Sequence, residues 1–176
     1  GRRDKDGGMA EIIGDQLLRL ARDRSPRGRT ILTETISAFF EGGAEALNER
    51  EHALVFDILH KVVLDAERTV RQRLSERLAD RGDVPADLIR LLANDTIEVA
   101  YPVLRRSRVL SDADLIEVIR QRSREHQLSI ALRDQINAEV SAELAGTGEP
   151  TVIASLLNNP NARISAETLA FLVEES

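Results

Sequence analysis

Apolar residues in this chain recur in pairs about one helical turn apart, and four stretches echo one another in that respect. Asp57-Ile-Leu-His-Lys-Val-Val-Leu-Asp65 and Asp87-Leu-Ile-Arg-Leu-Leu-Ala-Asn-Asp95 are the first two. Asp114-Leu-Ile-Glu-Val-Ile-Arg-Gln-Arg122 and Thr151-Val-Ile-Ala-Ser-Leu-Leu-Asn-Asn159 complete the set. The segments after them echo as well: Glu67-Arg-Thr-Val70, Ile97-Glu-Val-Ala100, His126-Gln-Leu-Ser129 and Ala162-Arg-Ile-Ser165. Apolar positions three and four apart line one face of an α-helix. Short helical units recurring every few dozen residues bury such faces only by stacking on one another. The pattern predicts an all-α fold, a right-handed α-solenoid of HEAT-like or leucine-rich-variant-like helical repeats with an N-terminal helical segment. Leu91, Ile119 and Leu156 are expected to lie buried between successive helices. Valine, isoleucine and threonine show no period-two alternation, so no strand is expected.

Turn and cap residues divide this pattern into elements. A first helix is predicted from Met9 to Arg22 on Ile12, Ile13, Leu17, Leu18 and Leu20. Ser25-Pro26 opens a second, serine as cap and proline at the first helical position, and Gly42-Gly43 closes it. Asn48 to Glu51 forms a capping pattern for a helix on Leu54, Val55, Ile58, Leu59, Val62 and Val63, with a break expected near Asp65. Gly82-Asp83-Val84-Pro85 stops one helix and caps the next, and Asn94-Asp95 turns into a helix that contains Pro102, where a kink is expected. Ser111 to Asp114 is another capping pattern. Glu125 to Leu144 reads as one helical stretch through Leu128, Ile130, Leu132, Ile136 and Val140. Gly146 to Pro150 is a loop, and Ser165 starts a last helix on Leu169, Leu172 and Val173, whose apolar face has no following partner. In domain terms, residues 1–8 read as a disordered lead or an appended remnant, and 9–64 as the N-terminal helical segment. Residues 65–176 read as the repeats, packed on that segment as one continuous domain.

Composition narrows the function. The 176 residues are 42% hydrophobic, enough for a core, and that core is aliphatic because the aromatics are only Phe39, Phe40, Phe56, Phe171 and Tyr101. With no cysteine, thiol nucleophiles, thiolate metal sites and disulfides are excluded together. No apolar run approaches the roughly 20 residues of a membrane span, and no membrane partner is expected. The charged start lacks the apolar core of a signal peptide, so a cytoplasmic setting is expected. The net charge of −6 sits entirely in the C-terminal quarter, where Arg163 faces Asp134, Glu139, Glu143, Glu149, Glu167, Glu174 and Glu175. Such an end repels nucleic acid and suits a basic protein partner.

Few side chains suggest chemistry. Glu49-Arg-Glu-His52 has the Glu-x-x-His spacing of carboxylate-bridged di-iron bundles, and Asp57-Ile-Leu-His60 imitates it, but such sites draw pairs from different helices. Here both lie on one helix. At about 100° per residue His60, Asp57 and Glu49 point away from the apolar stripe, and His52 sits at its edge. A solvated face is the reading, with no metal and no cofactor. His126, near the start of its helix, reads as a polar surface residue. No phosphate-binding glycine loop, nucleophile elbow or zinc-binding helix motif occurs, so no enzyme is expected. Phosphotransfer through His60 is the form an activity would take. The constellation that stands out is basic: Arg105, Arg106 and Arg108 close one helix, and Arg120, Arg122 and Arg124 close the next. Arginines there satisfy helix-end carbonyls and the helix dipole; alternatively they line a groove for an anionic ligand. Aromatic interleaving for base stacking is absent, which disfavours nucleic acid.

Three stretches carry a resemblance: Leu17-Leu-Arg-Leu-Ala-Arg-Asp-Arg-Ser25, Val99-Ala-Tyr-Pro-Val-Leu-Arg-Arg-Ser107-Arg-Val-Leu-Ser111 and His126-Gln-Leu-Ser-Ile-Ala131. In them the chain resembles an alphaproteobacterial domain-of-unknown-function family (serial two-three-three-six), and the likeness would extend over nearly all of this chain. The resemblance implies a cytoplasmic helical-repeat protein and supplies no catalytic residues. Together the readings predict a non-catalytic protein-interaction scaffold in bacterial regulation or signalling, with an unidentified protein partner. A homodimer through the exposed C-terminal helix is a further expectation, polyanion or nucleic-acid binding through the arginine cluster is the alternative, and histidine phosphotransfer comes third.

Overall fold

The computed structural model describes residues 2–39 and 47–175, and among them it is all-α, with eleven helices and no strand. The chain divides into two compact units, residues 1–77 and 78–176.

The first unit holds α1 (Arg2–Arg22), α2 (Pro26–Ala38), α3 (Glu49–Asp65) and most of α4 (Arg68–Leu78). Helix α1 takes in residues 2–8, the stretch read from the sequence as a lead. The predicted caps form as the residues dictate. The Ser25 side chain accepts from the Gly28 amide at 3.0 Å with Pro26 at the first helical position. Asn48 and Glu51 exchange bonds at 2.9 and 3.2 Å, closing a capping box. The predicted stop at Gly42-Gly43 lies outside the described residues. Helix α1 packs on both α2 and α3. Its approach to α3 runs through Gly14, where an added Cβ would fall 2.4 Å from the Ile58 Cδ1 atom. The break expected near Asp65 is present, with Ala66 in extended conformation at ψ 150° between α3 and α4.

The second unit is a succession of short helices: α5 (Ala86–Ala93), α6 (Ile97–Arg106), α7 (Asp112–Gln121), α8 (Arg124–Ala131), α9 (Ala138–Gly146), α10 (Pro150–Leu157) and α11 (Ala166–Glu175). Consecutive members pack as pairs, α5 with α6, α7 with α8 and α9 with α10. Pair packs on pair in alternation: α6 on α8 and α8 on α10, α7 on α9 and α9 on α11. Isolated helices of eight to ten residues are marginal in water, so these persist through the apolar face each buries. Leu88, Ile89 and Leu92 of α5, Val99, Val103 and Leu104 of α6, and Leu115, Val118 and Ile119 of α7 are all sealed from solvent. So are Ile130 of α8, Val140 and Leu144 of α9, and Val152 and Leu156 of α10. Pro102 is buried inside α6; its ring nitrogen cannot donate to the carbonyl of Glu98.

Several expectations need correction. The stretch from Glu125 to Leu144 is two helices, broken over residues 132–137 with Asn137 as the cap of α9. No glycine or proline marks that break; tertiary contacts impose it. Ile136 leaves the helical path to form an isolated parallel bridge with Ala162, its amide donating to the Asn161 carbonyl at 3.3 Å and its carbonyl accepting from Arg163 at 2.9 Å. The echoed phrase Thr151–Asn159 consequently falls on the second helix of its pair, whereas Asp87–Asp95 and Asp114–Arg122 fall on first helices. Of the three residues expected between helices, Ile119 and Leu156 are buried, but Leu91 is half-exposed and Leu92 takes the inner position. The inward positions of α5 are 88, 89 and 92, and the turn of the helix carries residue 91 to its flank. Neither Pro85 nor Thr96, the caps of α5 and α6, contributes a side-chain hydrogen bond.

This register has a measurable consequence. Truncating Leu92 to alanine should cost about 2–5 kcal/mol, the range for deleting a buried leucine side chain, and Leu91→Ala clearly less. Urea denaturation of the two variants, followed by far-ultraviolet circular dichroism, checks the order; equal losses would contradict it.

Candidate interaction site at the ends of the helical pairs

Where a short helix ends, its last carbonyls lack intrahelical donors, and burial under the next pair denies them water. In this unit a side chain from the following loop supplies the donors. The guanidinium of Arg133, in the loop after α8, reaches back to the end of α6. One terminal nitrogen donates to the carbonyl of Leu104, with that of Val103 at a marginal 3.5 Å, and the other donates to the carbonyl of Ser107. One pair further on, the Asn159 side-chain amide donates to the carbonyls of Ala131 and Arg133 at 2.9 and 2.8 Å. Ser107, Arg133 and Asn159 follow one another at equal intervals of 26 residues. In the first of these places Ser107 is itself buried, its hydroxyl accepting from the Val109 amide at 3.2 Å.

Arg133 is only 9% exposed. Its burial lowers its pKa from the ordinary arginine value, partly countered by Asp112 and Asp134; a guanidinium keeps its charge regardless. Its Nε has no hydrogen-bond partner among the described residues, so the two terminal nitrogens carry the anchoring.

His126 is the other buried polar link, which corrects its reading as a surface residue. Its ring lies 2.7 Å from the Ser123 hydroxyl and 2.8 Å from the Asp95 carbonyl, joining the start of α8 to the turn between α5 and α6. In the first unit His52 sits beside aromatic rings, with centroid distances of 6.5 Å to Phe39 and 5.9 Å to Phe56, while His60 is half-exposed. Glu51, the residue before His52, is committed to the capping box of α3. Among the described residues no group of three or more histidines and carboxylates is placed to hold a metal ion.

The six arginines singled out from the sequence separate into two sets. Arg105, Arg106 and Arg108 line a groove of about 960 Å³ beside the end of α6, together with Asp80, Asp112, Arg133, Asp134 and Asn137. There Arg106 pairs with Asp80 at 3.1 Å, and Asn137 donates to Asp112 at 2.9 Å. Arg120, Arg122 and Arg124 lie outside that groove. Arg120 bonds Glu143 of α9, which raises its pKa above the ordinary value. Arg122 donates to the Asn94 side chain at 3.1 Å, and Arg124 stands 3.8 Å from Glu149. Both tie neighbouring pairs together along the exposed side. Arg133 escaped the sequence reading because it looked like one more surface arginine in an arginine-rich chain. The signal that marks it is the equal spacing of Ser107, Arg133 and Asn159.

The fold therefore defines an all-α protein whose second unit is a run of short helices packed pair on pair. Residues 99–176, from α6 to the last helix, match the family model described as "Uncharacterised protein conserved in bacteria (DUF2336)". This is the family the sequence resembles. The matched range contains two of the three stretches that carry the resemblance; Leu17–Ser25 lies outside it, so the match is shorter than the near-complete span expected. No curated protein and no solved structure matches the chain. Among the described residues no helix is long and apolar enough to cross a membrane.

Removing Arg133 should strand buried carbonyls that no water reaches. Arg133→Met should cost about 3 kcal/mol and Asn159→Ala about 1–2 kcal/mol. Urea midpoints with unchanged slopes would measure both. A neutral outcome for Arg133→Met would show that the end of α6 is satisfied in another way.

Proposed function

We propose that the protein is a non-catalytic interaction scaffold of bacterial regulation or signalling, acting in the cytoplasm through a right-handed α-solenoid of HEAT-like or leucine-rich-variant-like repeats. The observation that carries this reading is the alternating packing of the second unit, α6 on α8 on α10 and α7 on α9 on α11. Arrays of that kind offer extended side-chain surfaces to partners. The reading is also supported by how the polar groups are used. Arg133, His126 and Asn159 are engaged with backbone carbonyls, an arrangement suited to holding pairs together and ill suited to chemistry.

Polyanion binding is the second reading, favoured by Arg105 and Arg108 on one groove. Opposing it, three aspartates, Asp80, Asp112 and Asp134, share that groove, and the acidic C-terminal quarter adds repulsion. A homodimer through α11 is compatible with the scaffold reading, because Leu169, Phe171 and Val173 of that helix are exposed.

Chemical cross-linking in nuclease-treated bacterial extract, followed by affinity capture of the tagged chain, tests the proposal. A protein partner recovered in constant proportion is the expected result, and a DNA or RNA oligonucleotide should bind weakly near physiological salt. Submicromolar nucleic-acid binding that weakens steeply as salt rises would overturn the scaffold in favour of the polyanion reading.

A further inference from the structure

The groove beside the end of α6 contains charges answered from within and charges left over. Arg106 is answered by Asp80, Asp112 by Asn137, and the terminal nitrogens of Arg133 by the carbonyls of α6. Arg105, half-buried, and Arg108, exposed, have no partner among the described residues. Two guanidiniums three residues apart thus face a groove in which four arginines, Arg105, Arg106, Arg108 and Arg133, stand against three aspartates, Asp80, Asp112 and Asp134.

We propose that this groove is a recognition site for an acidic peptide segment of a partner protein, whose side-chain carboxylates pair with Arg105 and Arg108. The proposal rests on the scaffold reading and names the site through which it works. A guanidinium presents a planar fork of donors that matches a carboxylate with two parallel hydrogen bonds. Pairs of this kind are strongest when partly shielded from water, and half-buried Arg105 offers that shielding. The aspartates decide against a nucleic-acid strand. A phosphate backbone places a charge at every nucleotide and would run against Asp80, Asp112 and Asp134 on the same walls, whereas a peptide can space its carboxylates to avoid them. No aromatic residue lines the groove, so bases would find no surface on which to stack. A compact organic ligand fits no better, since such sites are mostly apolar and here the named lining is dominated by charged and amide side chains.

The test is a nuclear magnetic resonance titration of the full chain, labelled with nitrogen-15, using an alternating glutamate–glycine decapeptide as probe and a thymidine decanucleotide as rival. The expected result is peptide-induced shifts confined to residues 105–112 and 133–137, including the side-chain Nε–H signals of Arg105 and Arg108. Affinity should fall about tenfold in Arg105→Gln/Arg108→Gln, the loss of two charge-assisted pairings, and stay unchanged in Arg120→Gln/Arg122→Gln. Should the double variant fail to fold, the single Arg108→Gln at its exposed position should still weaken binding several-fold. Shifts centred on Arg120, Arg122 and Arg124, no peptide binding at millimolar concentration, or tighter binding of the oligonucleotide would each overturn the site. The two levels of the proposal separate cleanly. A cross-linked partner retained in full by the double variant removes the groove and leaves the scaffold. Capture of no protein by the wild type removes the scaffold and, with it, the groove's role.

Discussion

The second unit depends on one constraint: α6 and α8 end against the pair that follows, and their terminal carbonyls must find donors there. A helix of eight residues has four such carbonyls for only a handful of internal hydrogen bonds, so its ends weigh heavily in its stability. Arg133 and Asn159 meet this demand from the loop that follows the next pair. The reach of those side chains fixes where the loop must pass, and the loop in turn fixes where the next pair begins. Ile136 is drawn out of helical conformation by the same arrangement and is held there by its bridge to the segment around Ala162. Apolar burial supplies the driving force, but polar end-satisfaction sets the register in which it is spent.

This explains which parts of the fold were legible in the sequence. Helix existence was, because Leu88 with Leu92 and Leu115 with Ile119 obey the helical period and their partners across the pair do likewise. Caps were legible where a side chain makes them, as at Ser25, Asn48 and Ser111. The break between α8 and α9 was not. Leu132-Arg-Asp-Gln-Ile-Asn137 contains no strong helix breaker, and the energy that interrupts it comes from residues far away in sequence. With that break in place, the fourth echo falls on the second member of its pair. Leu91 was misplaced by one position for a local reason, since adjacent leucines at 91 and 92 give periodicity no means of choosing between flank and core.

The candidate site was half legible. Arginines at helix ends were read as caps or as an anion groove, and the structure gives the individual arginines different surroundings. Arg120, Arg122 and Arg124 bridge to neighbouring pairs, Arg105 and Arg108 remain available in the groove, and the true helix-end cap is Arg133, which composition disguised. His126 was misread for a related reason. A histidine in a first turn looks solvated until the turn before it, at Asp95, closes over its ring.

The back-reaching loops give the array a direction. Arg133 serves the helix before its own pair, and Asn159 does the same one step later, so support passes from the C-terminal side toward the N-terminal side. A pair is incomplete until its successor has docked. Growth of such a structure during synthesis would leave the most recently made pair provisional, closed only by the arrival of the next, in the manner of a zip fastener whose teeth lock one behind the slider.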